Sequence, residues 1–290
     1  AHLKLIITWM VAVLWGRAPV PILLFEGPAG SGKSSGSRMP KFLIDPVEHK
    51  QLLRTFPENH RDFVIFGLNS LIMGFDNART VKPEKSDMLA RAVTGGAFSA
   101  RTHYTMTEET VIGIRRPIVM NGISGVVNQP DTASRTALIN LSPIQRDGRM
   151  CETDLWTLAK ELRPSIFGGL LDALVVGIRE YENTRPADLP RMADFARFIT
   201  AAEKALPWEP GEAVQAFRDA QEELYDQALH KDRVALAIVS LMEYRERWVG
   251  TSTELFDCLK PPGGGDDYWP RSPASLGKRI VEALPLLQNK

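Results

Sequence analysis

One stretch near the start of the chain has the residue types and the spacing of a phosphate-binding loop. Residues 27–34 read Gly-Pro-Ala-Gly-Ser-Gly-Lys-Ser and fill every fixed position of the pattern G-x-x-x-x-G-K-S. Glycine allows the tight turns through which successive backbone N–H groups point at one anion. A chance match in a Gly/Ser-rich turn is the alternative, but the flanks fit the strand–loop–helix order that the pattern requires. The stretch therefore predicts a nucleoside triphosphate site.

The loop residues would have separate roles in such a site. Lys33 would reach the β- and γ-phosphates, and the hydroxyl of Ser34 would hold Mg²⁺. The N-terminal end of the following helix would add a positive dipole. We therefore predict ATP and Mg²⁺ as cofactors. The residues predicted to contact the nucleotide are Gly27, Gly30, Ser31, Gly32, Lys33, Ser34 and Ser35.

An apolar run that ends in an acid supplies a second group of candidates. Residues 70–75 read Ser-Leu-Ile-Met-Gly-Phe and are followed by Asp76 and Asn77. A central strand of this Walker B form delivers a carboxylate to the sheet edge where ligands bind. We predict that Asp76 binds Mg²⁺ together with Ser34; the alternative is an aspartate in a turn after a core strand. Asn77 cannot act as a base, although an amide can orient water.

Strands and short helices must position these residues. The apolar run 21–26 suits a buried parallel strand, and the absence of proline between the loop and Pro40 leaves room for a helix. Further predicted elements are helices at 2–15, 60–67 and 85–92, a hairpin from 100–105 and 110–114, strands at 117–121 and 136–141, and one helical turn at 131–134. This alternation predicts an α/β P-loop NTPase core.

The second half of the chain has a helical pattern. Apolar residues recur at intervals of three and four, and prolines separate the segments. The predicted helices are 152–162, 164–181, 190–205, 211–229 and 231–246.

The C-terminal residues differ in pattern from the helices before them. In order they show a β-like piece at 248–250, a capping box at 251–254 before a helix at 255–259, a glycine-rich loop at 261–267 and a helix capped by Ser272. This order is typical of a winged-helix module. The predicted segments are an N-terminal helix at 1–16, the ATPase core at 17–145, a helical domain at 146–230 and a winged-helix-like module at 231–290.

Composition narrows the classes of protein. The 290 residues include 44% apolar residues, as in an ordinary globular protein. The 35 basic and 35 acidic side chains give no net charge that would attract nucleic acid, so any contact with DNA would need local basic patches. The few cysteines, Cys151 and Cys258, lack metal spacing and favour a reducing, cytoplasmic location.

The apolar run 3–15 is shorter than the roughly 20 residues of a membrane span. It favours a buried helix over a signal sequence, since no clear cleavage site follows. The chain has no initiator Met, which is compatible with a fragment of a longer protein.

Three further motifs follow the Walker B strand. They are Thr94-Gly95-Gly96 with Arg101 and Tyr104, Arg115-Arg116-Pro117 leading to Asn121, and Ser134-Arg135. Together with the P-loop and Asp76, their order resembles superfamily 3-type helicases of the AAA+ class, specifically the helicase part of phage and mobile-element primase-helicases. The resemblance covers residues 20–142 well and the C-terminal module more loosely.

The resemblance implies an AAA+-like, ring-forming ATPase that works as a DNA helicase in a phage or mobile-element replication system. The implied partners are further copies of the chain, in a hexameric ring, and single- or double-stranded DNA. The implied catalytic residues are Lys33, Asp76, Asn77, the sensor-1 residue Asn121 and the arginine finger Arg135, which a neighbouring subunit would supply. The implied DNA contacts are Arg101 and His103 in the hairpin and Lys278 and Arg279 in the C-terminal module.

The chain departs from the family pattern in three places. Asn77 stands where many ring ATPases have a glutamate that activates water, Ala97 replaces an acid, and the hairpin tip holds Glu108 and Glu109 instead of a clear lysine. Two other functions therefore stay open. An ATP-dependent DNA-binding switch or loader is favoured by Asn77, whereas a small-molecule P-loop kinase has no need of the helical C-terminal half.

Several of the implied residues also have simpler interpretations. Arg135 could pair with Asp131 on a helix surface, and Asn121 could cap a turn. Arg101 could be a surface strand residue, and Lys278 and Arg279 could form a solvated face. The sequence leaves these alternatives open.

Overall fold

The computed structural model describes residues 1–47, 51–79, 81–101, 109–260 and 269–288, except for the side chains of 99–101, 109–110 and 285. Within these ranges the chain divides into two compact units, Ala1–Gln221 and Glu222–Lys290. The finer division into four segments stays a prediction.

Both kinds of secondary structure occur in the first unit. The helices of the chain are α1 His2–Trp15, α2 Lys33–Ile44, α3 His60–Leu68, α4 Pro83–Thr94, α5 Pro130–Ala133, α6 Glu152–Glu180, α7 Ala193–Ala202, α8 Glu212–Lys231, α9 Arg233–Met242, α10 Ser252–Leu259 and α11 Pro273–Leu287. The strands are β1 Ile22–Glu26, β2 Met73–Ala78, β3 Gly96–Arg101, β4 Glu109–Ile114, β5 Ile118–Gly122 and β6 Thr136–Asn140.

A parallel sheet forms the centre of the first unit. Its strand order is β2-β5-β1-β6, and each neighbouring pair is parallel. Ile22, Leu23 and Leu24 of β1 are fully buried, as in a parallel sheet that is covered on both faces. Parallel strands bring their carboxyl ends to one edge, so the loop after β1 lies at the same edge as the ends of β2 and β5. The predicted α/β core is confirmed.

An antiparallel hairpin accompanies the sheet. Gly96 of β3 pairs with Ile114 of β4, and Arg101 pairs with Glu109. The hairpin was predicted, but its first strand begins at Gly96 and not at residue 100. Gly95, in a left-handed conformation at φ 94°, ends α4, and β3 begins at the next residue. Residues 102–108, including His103, Tyr104 and Glu108, lie outside the described residues.

The apolar N-terminal run forms α1, a buried helix as predicted. Trp9 is fully buried, and its indole N–H donates to the carbonyl of Pro21 at 2.7 Å, just before β1. Trp15 stacks on Phe198 of α7 with ring centroids 4.1 Å apart. Among the described residues no helix combines the length and the apolar character needed to cross a membrane.

The long helix α6 corrects the predicted break at Pro164. It runs without interruption from Glu152 to Glu180, with Pro164 inside it. Proline removes one backbone hydrogen bond of a helix, but α6 packs against α1 and α7. Beside Pro164, Arg163 donates to the carbonyl of Leu43 at 3.2 Å and lies over the ring of Phe42. Tertiary packing therefore outweighs the local preference.

The second unit is helical in the residues that the structure describes. Val234, Leu259, Trp269 and Leu276 form one of its buried clusters. Both predicted N-caps are present, at Thr251 with Glu254 and at Ser272 with Ser275.

The β-like piece predicted at 248–250 is wrong, because these residues form no strand. A short extended segment needs a partner strand for its backbone hydrogen bonds, and the described part of this unit offers none. The winged-helix expectation is therefore not confirmed. The glycine-rich loop at 261–267 lies outside the described residues.

Candidate functional site

The loop between β1 and α2 has the geometry of an anion cradle. Gly30 and Gly32 adopt left-handed conformations with φ of 79° and 75°, which glycine reaches without steric cost. A Cβ at Gly27 would lie 2.5 Å from the carbonyl oxygen of Leu141 and 2.6 Å from the Ser31 hydroxyl. The loop can therefore curl only with these glycines, and α2 begins directly after it at Lys33.

Two polar groups of the loop are ready for a ligand. Ser31 is buried, and its hydroxyl has no hydrogen-bond partner within the described part of the chain. The Lys33 ammonium crosses the loop and donates to the carbonyl of Pro28 at 3.1 Å. A buried donor without a partner is costly, so an anion that accepts from Ser31 and Lys33 would suit this cradle.

Asn121 connects the loop helix with the Walker B strand. Its buried amide donates to Asp76 Oδ1 at 2.8 Å and to the Ser37 hydroxyl at 2.7 Å. Its oxygen accepts from the Asn77 backbone N–H at 2.9 Å. Ser37 in turn donates to the Ser34 carbonyl at 3.2 Å. The structure therefore joins Asp76 and Asn121 to α2 through Ser37, which contacts the backbone carbonyl of Ser34; the predicted role of the Ser34 hydroxyl stays a prediction.

Ser37 is a member of this site that the sequence analysis missed. It lies one turn after Ser34 on α2, so the same helix face carries both hydroxyls. That spacing was the available signal.

Asn77 lies at an irregularity of β2. The register of β2 against β5 shifts between Phe75 and Ala78, and Asn77 has a positive φ of 52°. Asparagine tolerates this left-handed conformation better than most residues. Its side chain is exposed, and its role in orienting water stays a prediction.

The donor set fits a magnesium ion that is shared with phosphates. In the described ranges no group of three or more His, Cys, Asp or Glu side chains could hold a metal by itself. Mg²⁺ is commonly held by one or two carboxylates together with substrate phosphates. Asp76 and Ser34 would therefore hold it only alongside a bound nucleotide.

Arg38 is a second residue that the sequence analysis missed. It follows Ser37 on α2, and its Nη2 lies 3.8 Å from Asp76 Oδ2. Its Nη1 lies 3.2 Å from Glu152 Oε1 at the start of α6. No sequence signal joins Arg38 to Glu152, which is far away in the chain.

Arg135 takes part in an ion-pair group around Asp131. It pairs with the Asp131 carboxylate and donates to the Asp131 carbonyl at 2.8 Å. Arg191 contacts the same carboxylate at 2.7 Å and donates to the Ser134 hydroxyl at 2.9 Å. Partial burial opposes ionisation of Asp131, but Arg135 and then Arg191 outweigh it and hold the pKa of Asp131 below its ordinary 3.8. The Arg135–Asp131 pairing that the sequence left open is therefore present.

The predicted DNA contacts are only partly described. Arg101 is the last residue of β3, and its side chain lies outside the described part of the chain. Lys278 and Arg279 are both exposed on α11. The Arg279 guanidinium lies 2.9 Å from Asp232 and 2.8 Å from Glu282, so nearby carboxylates balance its charge.

A substitution at Asn121 tests the bridge between α2 and β2. In Asn121→Asp a carboxylate replaces the donor and faces Asp76 across 2.8 Å. We expect a destabilisation of about 1–3 kcal/mol, the cost of leaving buried polar groups unpaired, measured as a lower midpoint of thermal unfolding. Asn183→Asp, at an exposed asparagine, is the matched control. Equal unfolding midpoints for the two variants would contradict the bridging role.

Comparisons with known proteins identify the family. The family model of the actinomycete integrative conjugative element (AICE) replication protein RepA matches residues 2–227. The family model of the AICE RepA C-terminal domain matches residues 234–290. No curated protein matches the chain. A crystal structure of JCV helicase bound to an acetamide compound is similar at 11% identity and a TM-score of 0.33, over 84% of this chain and 66% of the helicase chain. The chain thus spans just under two thirds of that helicase. With most of its length matched by one family model, the chain belongs to the actinomycete integrative conjugative element replication proteins.

Proposed function

We propose that this replication protein is an ATP-driven DNA helicase or translocase of the superfamily 3, AAA+ type. The observation that carries the proposal is the glycine cradle beside an Asp76 carboxylate that Asn121 holds against α2. A P-loop, a metal-binding acid and a polar residue on the adjacent strand are the parts that hydrolysis of a nucleoside triphosphate needs. Its work would be in the cytoplasm, on the DNA of the mobile element.

The residues of the site would divide the chemistry among them. The N–H groups of the loop and Lys33 would bind the β- and γ-phosphates, while Ser34 and Asp76 would hold the metal. Mg²⁺, when bound, neutralises charge on the phosphate oxygens. Asn121 would hold Asp76 in one orientation, and Asn77 would orient the attacking water without accepting its proton.

Arg135 would complete the site of a neighbouring subunit. Its described side-chain contacts are with Asp131 in its own chain. An arginine finger in trans needs an interface between copies, for which we propose a hexameric ring. Single- or double-stranded DNA would pass through its channel and contact the β3–β4 hairpin, with Lys278 as a further contact in the second unit.

The second candidate function is an ATP-dependent switch or loader that binds DNA without unwinding it. The exposed amide of Asn77 beside Asp76 favours it, because neither that amide nor the tethered Asp76 is a free base. Hydrolysis would then be slow, and nucleotide binding alone would drive assembly.

One experiment separates these functions. The full chain is mixed with a fluorescent forked duplex and either ATP or a non-hydrolysable analogue, and strand separation and particle images are recorded. We expect rings with both nucleotides and strand separation with ATP alone. Rings that bind DNA without separating strands would instead support the switch. A protein that stays monomeric and does not bind DNA would instead support the small-molecule P-loop kinase.

A further inference from the structure

Arg38 occupies a position between two carboxylates beside the candidate metal site. It lies on α2 five residues after Lys33, with Asp76 at 3.8 Å on one side and Glu152 at 3.2 Å on the other. Asp76 is partly buried, whereas the Glu152 side chain is 64% exposed. The guanidinium is thus closer to an exposed surface acid than to Asp76, the candidate metal ligand.

The two oxygens of Asp76 have different surroundings. Oδ1 accepts from the Asn121 amide at 2.8 Å, and Oδ2 faces Arg38. A metal ion that binds Asp76 through Oδ2 would approach on the side where the guanidinium lies. Two cations near one carboxylate oxygen repel each other, so Arg38 and Mg²⁺ oppose each other at Oδ2.

We propose that Arg38 is a positioning residue that sets the affinity of Asp76 for Mg²⁺, with Glu152 as the alternative partner that takes the guanidinium when the metal binds. This inference rests on the proposed nucleotide site. It also links the metal to α6, because Glu152 is the first residue of that helix. The Glu152 carboxylate further accepts from the Trp156 indole at 3.4 Å, which anchors it to the same helix.

The proposal predicts shifts of opposite sign for two substitutions. Arg38→Gln removes the competing cation, so the Mg²⁺ concentration for half-saturation should fall. Glu152→Gln removes the alternative anion, so Arg38 stays on Asp76 and that concentration should rise. Ion pairs at this level of exposure correspond to changes of about two- to fivefold. A purely structural role of Arg38 would weaken the site in both variants.

The test measures binding and not hydrolysis. Mg²⁺ is titrated into a mixture of the full chain and a fluorescent, non-hydrolysable ATP analogue. The fluorescence of the protein-bound analogue is recorded at each Mg²⁺ concentration. Glu161→Gln, at an exposed glutamate of α6, is the matched control and should leave half-saturation unchanged. Glu152 lies on the surface, so its variant tests the proposal even if Arg38→Gln proves unstable in a thermal melt.

Two results would overturn the proposal in distinguishable ways. If both variants bind nucleotide with the half-saturation of the wild type, or both shift upward, Arg38 does not compete with the metal and the nucleotide site stands. If the wild type binds no nucleotide at any Mg²⁺ concentration, the proposed function fails and this inference with it.

Discussion

Lys33→Ala should abolish ATP hydrolysis and weaken nucleotide binding while the chain stays folded. The ammonium is the charged group that the loop offers to the phosphates, and a charge-assisted hydrogen bond contributes about 1.5–3 kcal/mol. That energy corresponds to a loss of affinity of at least about tenfold. The described contact of Lys33 is a hydrogen bond to the Pro28 carbonyl, so its removal should cost little stability.

The measurements are a titration with a fluorescent ATP analogue and an assay of phosphate release. Lys160→Ala, at an exposed lysine of α6, removes the same charge far along the chain and should behave as the wild type. Hydrolysis by Lys33→Ala at the wild-type rate would show that the cradle is not the nucleotide site. A thermal melt excludes unfolding as the cause.

Arg135→Ala should lose hydrolysis by a factor of about 10³–10⁵ while it still binds ATP. In the proposed site, Lys33 and Mg²⁺ would leave one side of the γ-phosphate without a cation. An arginine supplied by a neighbour has an effect of that size in nucleotidases that use one. In the isolated chain Asp131 holds Arg135. Arg191 contacts the same carboxylate, so the group around Asp131 should persist in the variant.

Mixed assemblies give the sharpest form of this test. Arg135→Ala and Lys33→Ala are each expected to be inactive, but a mixture should regain partial activity, since some interfaces combine an intact Lys33 with an intact Arg135. Activity per subunit of the wild type should also rise with protein concentration. Arg191→Ala is the matched control, because it removes the other arginine that contacts Asp131 and leaves Arg135 in place. A dilute, monomeric wild type with full activity would rule out an arginine in trans.

The elements near the loop could be predicted because their signals are local. The apolar runs that became α1 and β1 and the glycine spacing of residues 27–34 each lie within a few residues. The capping boxes at Thr251 and Ser272 are also read from four consecutive residues. Local backbone preference and local hydrogen bonds decide these features, so sequence alone is sufficient for them.

The errors arose where packing outweighs local preference. Pro164 has the local signal of a helix boundary, yet α6 continues through it and packs against α1 and α7. The β-like piece at 248–250 contains Trp248 and Val249, which favour strands, but it forms no strand. A strand depends on a partner elsewhere in the chain, and a sequence window does not contain that partner.

The sequence by itself determined the phosphate loop, the acid Asp76 and the amide Asn121 as candidates, because each follows a recognisable strand or glycine pattern. Only the tertiary structure decided which groups meet. The strand order β2-β5-β1-β6 places Asn121 between Asp76 and Ser37, although these residues are far apart in the chain. The contacts of Arg38 with Glu152 and of Arg191 with Asp131 were equally invisible beforehand. Ion pairs of this kind depend on side-chain distances of a few ångströms between remote segments, and residue type alone does not set those distances.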